Sequence, residues 1–343
     1  MLFTALMTDA TVTHPKQAFE DTFENLQCPL PAAPTHISTD LWERALKGPL
    51  RDILSRPGKQ FRSRLVQLAW RLAGRDDAPP KQLPLVVELL HAGSLIIDDI
   101  EDGSEERRGK PALHRLHGIP VALNTGNWLY FYSIRTLQSI PLSTTVRSQL
   151  EELTNSIILM CHEGQALDLT ARVTQLQQNE VASVVQTISE YKTGALMALA
   201  SGMGAIAAGA ENHIRDALLR FGSRLGVGLQ MQNDLTELYG TNSKKKYEDL
   251  ILGRATWPWR WVAESATASE FSHLQTLSTH AGRFPETAQD LADALRVCLE
   301  DKPKVEIHKW LENAFTELEE VLGQSTYLDA LHEEVRRLEN HYA

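Results

Sequence analysis

Residues Ser94–His114 read SLIIDDIEDGSEERRGKPALH. The apolar run Leu95–Ile97 predicts a buried helical face, and the acids follow it directly. On a helix Asp98 and Asp102 share a face, with Asp99 beside them. Carboxylates there pack poorly but make a good hard-cation site. Mg²⁺ prefers oxygen ligands, keeps several waters, and often takes one or two carboxylates plus substrate phosphates. Arg107, Arg108 and Lys110 come next, and arginines grip polyphosphates bidentately. Acidic runs followed by basic ones also occur as solvated helix ends, so this segment alone leaves both readings open.

Around this stretch the chain reads as helical almost throughout. Leu41, Ala45, Leu46, Leu50, Ile53 and Leu54 recur at threes and fours, as do Leu65, Leu68, Ala69 and Leu72. The pattern continues over Leu83–Ile100, Ala122–Leu137, Thr144–Asp168, Glu180–Ala208, His213–Tyr239 and Ala288–Cys298, and from Val305 onward. Gly74, Pro79-Pro80, Gly118, Pro141, Gly209 and Gly240 punctuate it as helix ends require. No series of strands is visible. The fold class is all-α: one large helical bundle over residues 38–343, preceded by a loosely ordered extension over 1–37 that ends in the linker Pro29–Thr35.

A hydrophobic content of 43% in 343 residues allows a sizeable core, and a net charge of −10 argues against a nucleic-acid partner. Cys28, Cys161 and Cys298 are too scattered for a disulfide framework or a zinc site and fit a reducing compartment. No apolar run is long enough to span a bilayer, and the N-terminus lacks the basic region of a signal peptide. The expectation is a cytoplasmic protein without a transmembrane segment.

Three more polar interruptions stand in apolar helices. Gln230, Asn233, Asp234 and Glu237 lie at i, i+3, i+4 and i+7, on one face. That stripe is cheap if it faces water and expensive if it faces inward without partners. Gln165 and Asp168 share a face after a long helix, and Lys192-Thr193 sits beside a run of small residues. Together with the Asp98 segment they suggest one polar cavity inside the bundle, where bundles place ligand sites.

From Leu50 to Pro258 the chain resembles the trans-polyprenyl diphosphate synthases, Mg²⁺-dependent prenyltransferases of the isoprenoid-synthase fold. Gly58-Lys59-Gln60-Phe61-Arg62 is similar to the family's Gly-Lys-x-x-Arg motif. His91–Asp102 resembles the helix leading into its DDxxD motif, and Arg107–Pro111 the sequel. Gly164–Asp168, Lys192-Thr193-Gly194 and Gln230–Asp234 follow in the family's order. The segments Ser94–Pro111 and Gly118–Phe131 look most like the geranylgeranyl diphosphate synthase branch. The resemblance implies an allylic diphosphate held through a cluster of about three Mg²⁺ ions. Asp98 and Asp102 would bind them on one wall and Asp234 on the other, with Asp99 beside the first. Arg107, Lys192, Lys244 and Arg254 would serve the diphosphate, Lys245 being a rival to Lys244. Gly58, Lys59, Arg62, His91 and Arg108 would bind isopentenyl diphosphate. Dipoles of Lys192, Thr193 and Gln230 would stabilise the allylic cation. A homodimer is also implied.

Gly93 and Ser94, one turn before Asp98, are small where short-product members tend to carry aromatics. That implies a product longer than C15. Trp128–Phe131 is the next candidate floor and favours C20, geranylgeranyl diphosphate. Ser94→Phe should shorten the product, and an unchanged product length would remove this floor argument. Some residues depart from the family pattern: Asn233 stands where an aspartate is common, Arg254 replaces a lysine, Leu229 replaces an aromatic, and the C-terminus is not basic. Two alternatives follow, a class I terpene cyclase and a non-catalytic regulatory subunit. Gly58, Lys59 and Arg62 speak against the first and the intact DDIED against the second.

Overall fold

The computed structural model describes residues 36–58, 60–239 and 247–342. Longer helices run α1 (Gly48–Ser55), α2 (Phe61–Leu72), α3 (Gln82–Glu101), α4 (Ile119–Ser139), α5 (Thr144–Thr170), α6 (Gln178–Ile188), α7 (Ala195–Ala208), α8 (Asn212–Leu238), α9 (Trp257–Ser265), α10 (Ala268–Arg283), α11 (Ala288–Leu299), α12 (Lys302–Leu322) and α13 (Thr326–Tyr342). The all-α class holds, and the expected helices match within a few residues. Residues 1–35 of the expected extension lie outside the described residues.

The apolar positions that recur at threes and fours become the core. Leu65, Val66 and Ala69 of α2 and Leu199, Ala200 and Met203 of α7 are fully buried. Leu218, Phe221 and Leu225 of α8 join them in one cluster. A second cluster gathers Leu50 and Ile53 of α1 with Leu89, Ile96 and Leu129 of α3 and α4. The most extensive packing sets α3 on α4, and α7 on both α8 and α2. α3 is thus wedged between the clusters, and its last turn carries Asp98.

Two local features differ from the sequence reading. Residues Glu106–Arg107 and Lys110–Pro111 form a short antiparallel hairpin. Its central residues Arg108 and Gly109 both have positive φ, at 55° and 74°, as a tight two-residue hairpin turn requires. The helix expected over Glu180–Ala208 is interrupted by a π-helical segment at Ser189–Gly194. Such insertions often mark functional sites, and this one carries Lys192 and Thr193.

Candidate active site

The site grows from one stripe of α3. Glu88, His91, Leu95, Asp98 and Asp102 alternate at spacings of three and four, so they line one helical face. Asp98 is the hub. Its Oδ1 accepts from Lys192 Nζ at 3.0 Å and from Gln165 Nε2 at 3.3 Å, and its Oδ2 from Arg107 at 3.3 Å. Burial pushes the Asp98 carboxyl up, but the Lys192 and Arg107 charges outweigh it and hold the group below its ordinary value. Asp102 caps the helix end and pairs with Arg254. Burial and the Asp98 charge raise its carboxyl to about 6. Asp99 points elsewhere. It is buried, and its Oδ1 accepts from Arg107 Nε at 2.8 Å. Asp99 therefore anchors the hairpin that brings Arg107 to Asp98.

The π-helical segment supplies the cation facing this wall. It is gripped between two glycines. A Cβ on Gly164 of α5 would stand 2.7 Å from Tyr191 Cβ, and one on Gly226 of α8 would stand 2.7 Å from the Thr193 carbonyl oxygen. Only hydrogen in place of a side chain allows both approaches. Lys192 then reaches Asp98 and also Asp168, at 2.7 Å. Burial opposes its charge, yet the two carboxylates raise its pKa overall.

The stripe on α8 splits by depth. Asn233 is exposed, whereas Asp234 is 5% exposed. Asp234 was expected on an open wall opposite Asp98, but both its oxygens are engaged. Oδ1 accepts from Gln230 Nε2 at 2.7 Å and Oδ2 from the Trp257 backbone N–H at 3.0 Å. Gln230 Oε1 in turn accepts from the Thr193 hydroxyl at 2.7 Å. Trp257 Nε1 donates to Ser189 on the same π-helical segment. This closed circuit fixes the Gln230 amide. Burial, with Asp249 nearby, raises Asp234 to about 7. Behind it Glu237 accepts from the Asp249 backbone N–H; burial raises both carboxyls, aided by the charges of Asp234 and Glu248 at Glu237 and of Glu237 at Asp249.

These shifts make stability depend on pH. Asp102 and Asp234 hold protons more tightly folded than at their ordinary value of 3.8. The native state therefore binds more protons from about pH 4 to 7, and its stability falls as pH rises through that window. The depressed Asp98 acts the other way, but only at lower pH. The metal-free protein should lose about 5 °C or more in Tm between pH 5 and 7.5. Millimolar Mg²⁺ should restore part of the loss. A Tm that is flat or rising over that range would contradict this electrostatic picture.

Arginines gather near the base of the α3 stripe. A Cβ on Gly58 would stand 2.9 Å from the Arg108 guanidinium, so Gly58 lies against that side chain. Burial first, then the charges of Arg62, Arg108 and Arg107, keep His91 well below its usual pKa and so neutral. Lys59 and Lys244 fall outside the described residues. Arg254, expected to meet substrate, is 4% exposed and clamped between Asp102 and Asp168. It holds the carboxylates in place from behind.

A cavity of about 200 Å³ opens below Asp98. Arg62, His91, Asp98, Gln165, Lys192 and Thr193 form its polar part, while Leu90, Leu95, Ile97, Ile157, Leu196 and Leu199 form apolar wall. Ser94 lines it, as expected. Gly93 does not: its open side packs on α4, with an added Cβ 3.0 Å from the Gly126 carbonyl. Of the proposed floor only Tyr130 reaches the cavity, with its ring 5.5 Å from that of His162. Trp128 stacks on Tyr132 in the second core cluster, and Phe131 is 73% exposed.

Gln165 and Asp168, expected at the polar cavity without an assigned chemical role, complete the polar shell together with Glu101 and Asp249, which the sequence reading did not place there. Gln165 bridges Asp98 and Glu101, and Asp168 receives both Lys192 and Arg254. The one available signal was the shared face of Gln165 and Asp168. Among the described residues, no three His, Cys, Asp or Glu side chains converge into a closed metal cage.

The family profile described as polyprenyl synthetase matches residues 43–297. A short chain isoprenyl diphosphate synthase of Methanocaldococcus jannaschii is 32% identical over 200 residues, 57% of this chain and 58% of that protein. Geranylgeranyl pyrophosphate synthase 2 of Zymoseptoria tritici is 32% identical over 234 residues, 67% of this chain and 68% of that protein. The matched region thus spans 58% and 68% of these relatives' lengths. Among solved structures, a polyprenyl synthase from Caulobacter crescentus, complexed with calcium and isoprenyl diphosphate, matches with a TM-score of 0.72 at 24% identity. That alignment covers 87% of this chain and 89% of the other, and it establishes a shared fold.

Proposed function

The chain belongs to the polyprenyl synthetase family, and from that premise we propose that it is a Mg²⁺-dependent trans-prenyltransferase. It condenses isopentenyl diphosphate with an allylic diphosphate to give geranylgeranyl diphosphate. The observation that carries this reading is Asp98. It is gripped by Lys192, Arg107 and Gln165 at the mouth of a cavity with apolar lower walls. A charged head group and a hydrocarbon tail would both be accommodated there. The names of the Zymoseptoria and Methanocaldococcus relatives support the substrate class.

The donor set suits Mg²⁺. Asp98 and Asp102 offer hard oxygens on one helix face, and burial first, then the Asp98 charge, raise Asp102. Asp98 and Asp102 would hold the metal, and the remaining ligands of a cluster of about three ions would come from substrate and solvent. Metal bound there would neutralise the diphosphate and make it a good leaving group. The Caulobacter neighbour, with calcium and isoprenyl diphosphate in the same fold, supports this pairing.

Lys192 and Arg107 would add positive charge beside the departing diphosphate, with Lys244 as a further contributor. The allylic C–O bond breaks, and diphosphate leaves with the electron pair. The terminal alkene carbon of isopentenyl diphosphate attacks the allylic cation and forms the new C–C bond. Departed diphosphate takes the proton that is lost. Gly58, Lys59, Arg62, His91 and Arg108 would hold isopentenyl diphosphate. Thr193 and Gln230 would turn their oxygens toward the cation, with Asp234 acting through Gln230. The apolar wall takes the tail and keeps water from the cation.

A second copy of the chain would cover the exposed apolar face of Ile119, Leu123 and Phe131 on α4, beside Leu159 and Leu167 on α5. Among the described residues no helix is long and apolar enough to cross a membrane, and the proposed setting is the cytoplasm. The function is tested by diphosphate release. It should require both an allylic diphosphate and isopentenyl diphosphate. Release from the allylic substrate alone, with a cyclic hydrocarbon, would favour a cyclase, and no release at all would favour a regulatory subunit.

A further inference from the structure

We infer that Glu88 is a positioning residue for isopentenyl diphosphate: it caps α2 from α3 and thereby holds the first turn of α2, which bears Arg62, beside His91. The inference rests on the proposed function. Nothing in the mechanism above uses Glu88, although it continues the stripe that bears His91 and Asp98. It lies roughly 15 Å along the helix axis from Asp98, ten residues at about 1.5 Å each.

The need for a cap is visible in α2. A helix N-terminus leaves its first backbone N–H groups without intrahelical partners, and Ser, Thr, Asp or Asn at the N-cap normally accepts from one of them. Here the N-cap is Gln60, in the left-handed conformation at φ 49°, and its side chain makes no capping bond. The Ser63 hydroxyl instead donates to the Gln60 carbonyl. That leaves the Ser63 amide, which donates to Glu88 Oε1 at 3.0 Å. The acceptor is therefore supplied by a different helix, and a carboxylate also suits the positive end of the α2 dipole.

The first turn of α2 carries Arg62, which lines the cavity together with His91. The tie from Ser63 to Glu88 joins this turn to α3 one helical turn from His91. Glu88 also acts on Arg108 electrostatically. Burial and the neighbouring arginines lower that guanidinium, and the Glu88 charge opposes them. One side chain thus links the helix bearing Arg62, the hairpin bearing Arg108 and the helix bearing His91. It reaches no part of the Asp98 wall, so its effect should fall on one substrate only.

Two substitutions separate reach from charge. Glu88→Gln keeps an acceptor oxygen at the Ser63 amide and removes the charge. Glu88→Asp keeps the charge and withdraws the oxygen by one methylene. Steady-state kinetics should show the KM for isopentenyl diphosphate rising about five- to tenfold in Glu88→Asp. The KM for the allylic diphosphate should stay within about twofold of wild type, and Glu88→Gln should lie close to wild type for both. Glu88→Gln impaired while Glu88→Asp stays close to wild type would overturn the capping role, since charge alone would then explain the loss. Two KM values rising together would reduce Glu88 to a general stabiliser, and no change in either would remove its role. If wild-type protein condenses isopentenyl diphosphate yet neither variant differs, only this inference fails. If wild type does not condense it, the proposed function fails and takes the inference with it.

Discussion

Asp98→Ala should lower turnover about a thousandfold or more, because it removes the carboxylate on which the cations and the proposed metal converge. The same change frees Lys192 from one partner and leaves it on Asp168 alone. It should do little to the fold. Asp98 raises its neighbour Asp102, so removing it relieves that repulsion while it breaks the contacts with Lys192, Arg107 and Gln165. A thermal melt within a few degrees of wild type, alongside lost turnover and weakened Mn²⁺ binding, is the expected pattern. Turnover within tenfold of wild type would place the chemistry elsewhere. Asp234→Asn should behave differently and retain Mn²⁺ binding, since Asp234 faces Gln230 and Trp257.

Lys192→Met should reduce turnover about a hundred- to a thousandfold, on the scale seen when one donor to a developing anion is removed. It should also destabilise the metal-free protein. Asp98 and Asp168 would lose the cation between them, and the cost of stranding partly buried carboxylates is about 1–3 kcal/mol. Mg²⁺ would supply the missing charge, so it should raise the Tm of Lys192→Met more than that of wild type. Differential scanning with and without metal reads this directly. Equal Tm values and turnover within threefold of wild type would show that Lys192 is a bystander.

The architecture was legible because a 3–4 apolar period survives in nearly every helix from Leu41 onward. The site was legible in its parts and not in its depth. Spacing placed Gln230, Asn233, Asp234 and Glu237 on one face of α8, but it could not separate exposed Asn233 from buried Asp234. The partner that buries Asp234 is Trp257, which is far along the chain in a tryptophan-rich stretch with no clean period. The π-helical segment left no sequence mark either. Glu180–Ala208 reads as one continuous helix, and the glycines that grip Lys192-Thr193 belong to two other helices. The hairpin around Arg108 and Gly109 is too short to show alternation, although it decides where Arg107 points. Arg254 is assigned to the diphosphate by the family resemblance, where it stands in place of a lysine, and spacing carries no sign of its depth. It is buried where its guanidinium pairs with Asp102 and Asp168.

The central claim is that this cavity elongates an allylic diphosphate by C5 units and stops at C20. The most direct test is mass analysis of the product formed by purified protein with Mg²⁺ and isopentenyl diphosphate, starting in turn from dimethylallyl, geranyl and farnesyl diphosphate. The account predicts geranylgeranyl diphosphate from every starter that is accepted. A different prenyl diphosphate would keep the mechanism and contradict the cavity depth, and the absence of any elongated product would contradict the account itself.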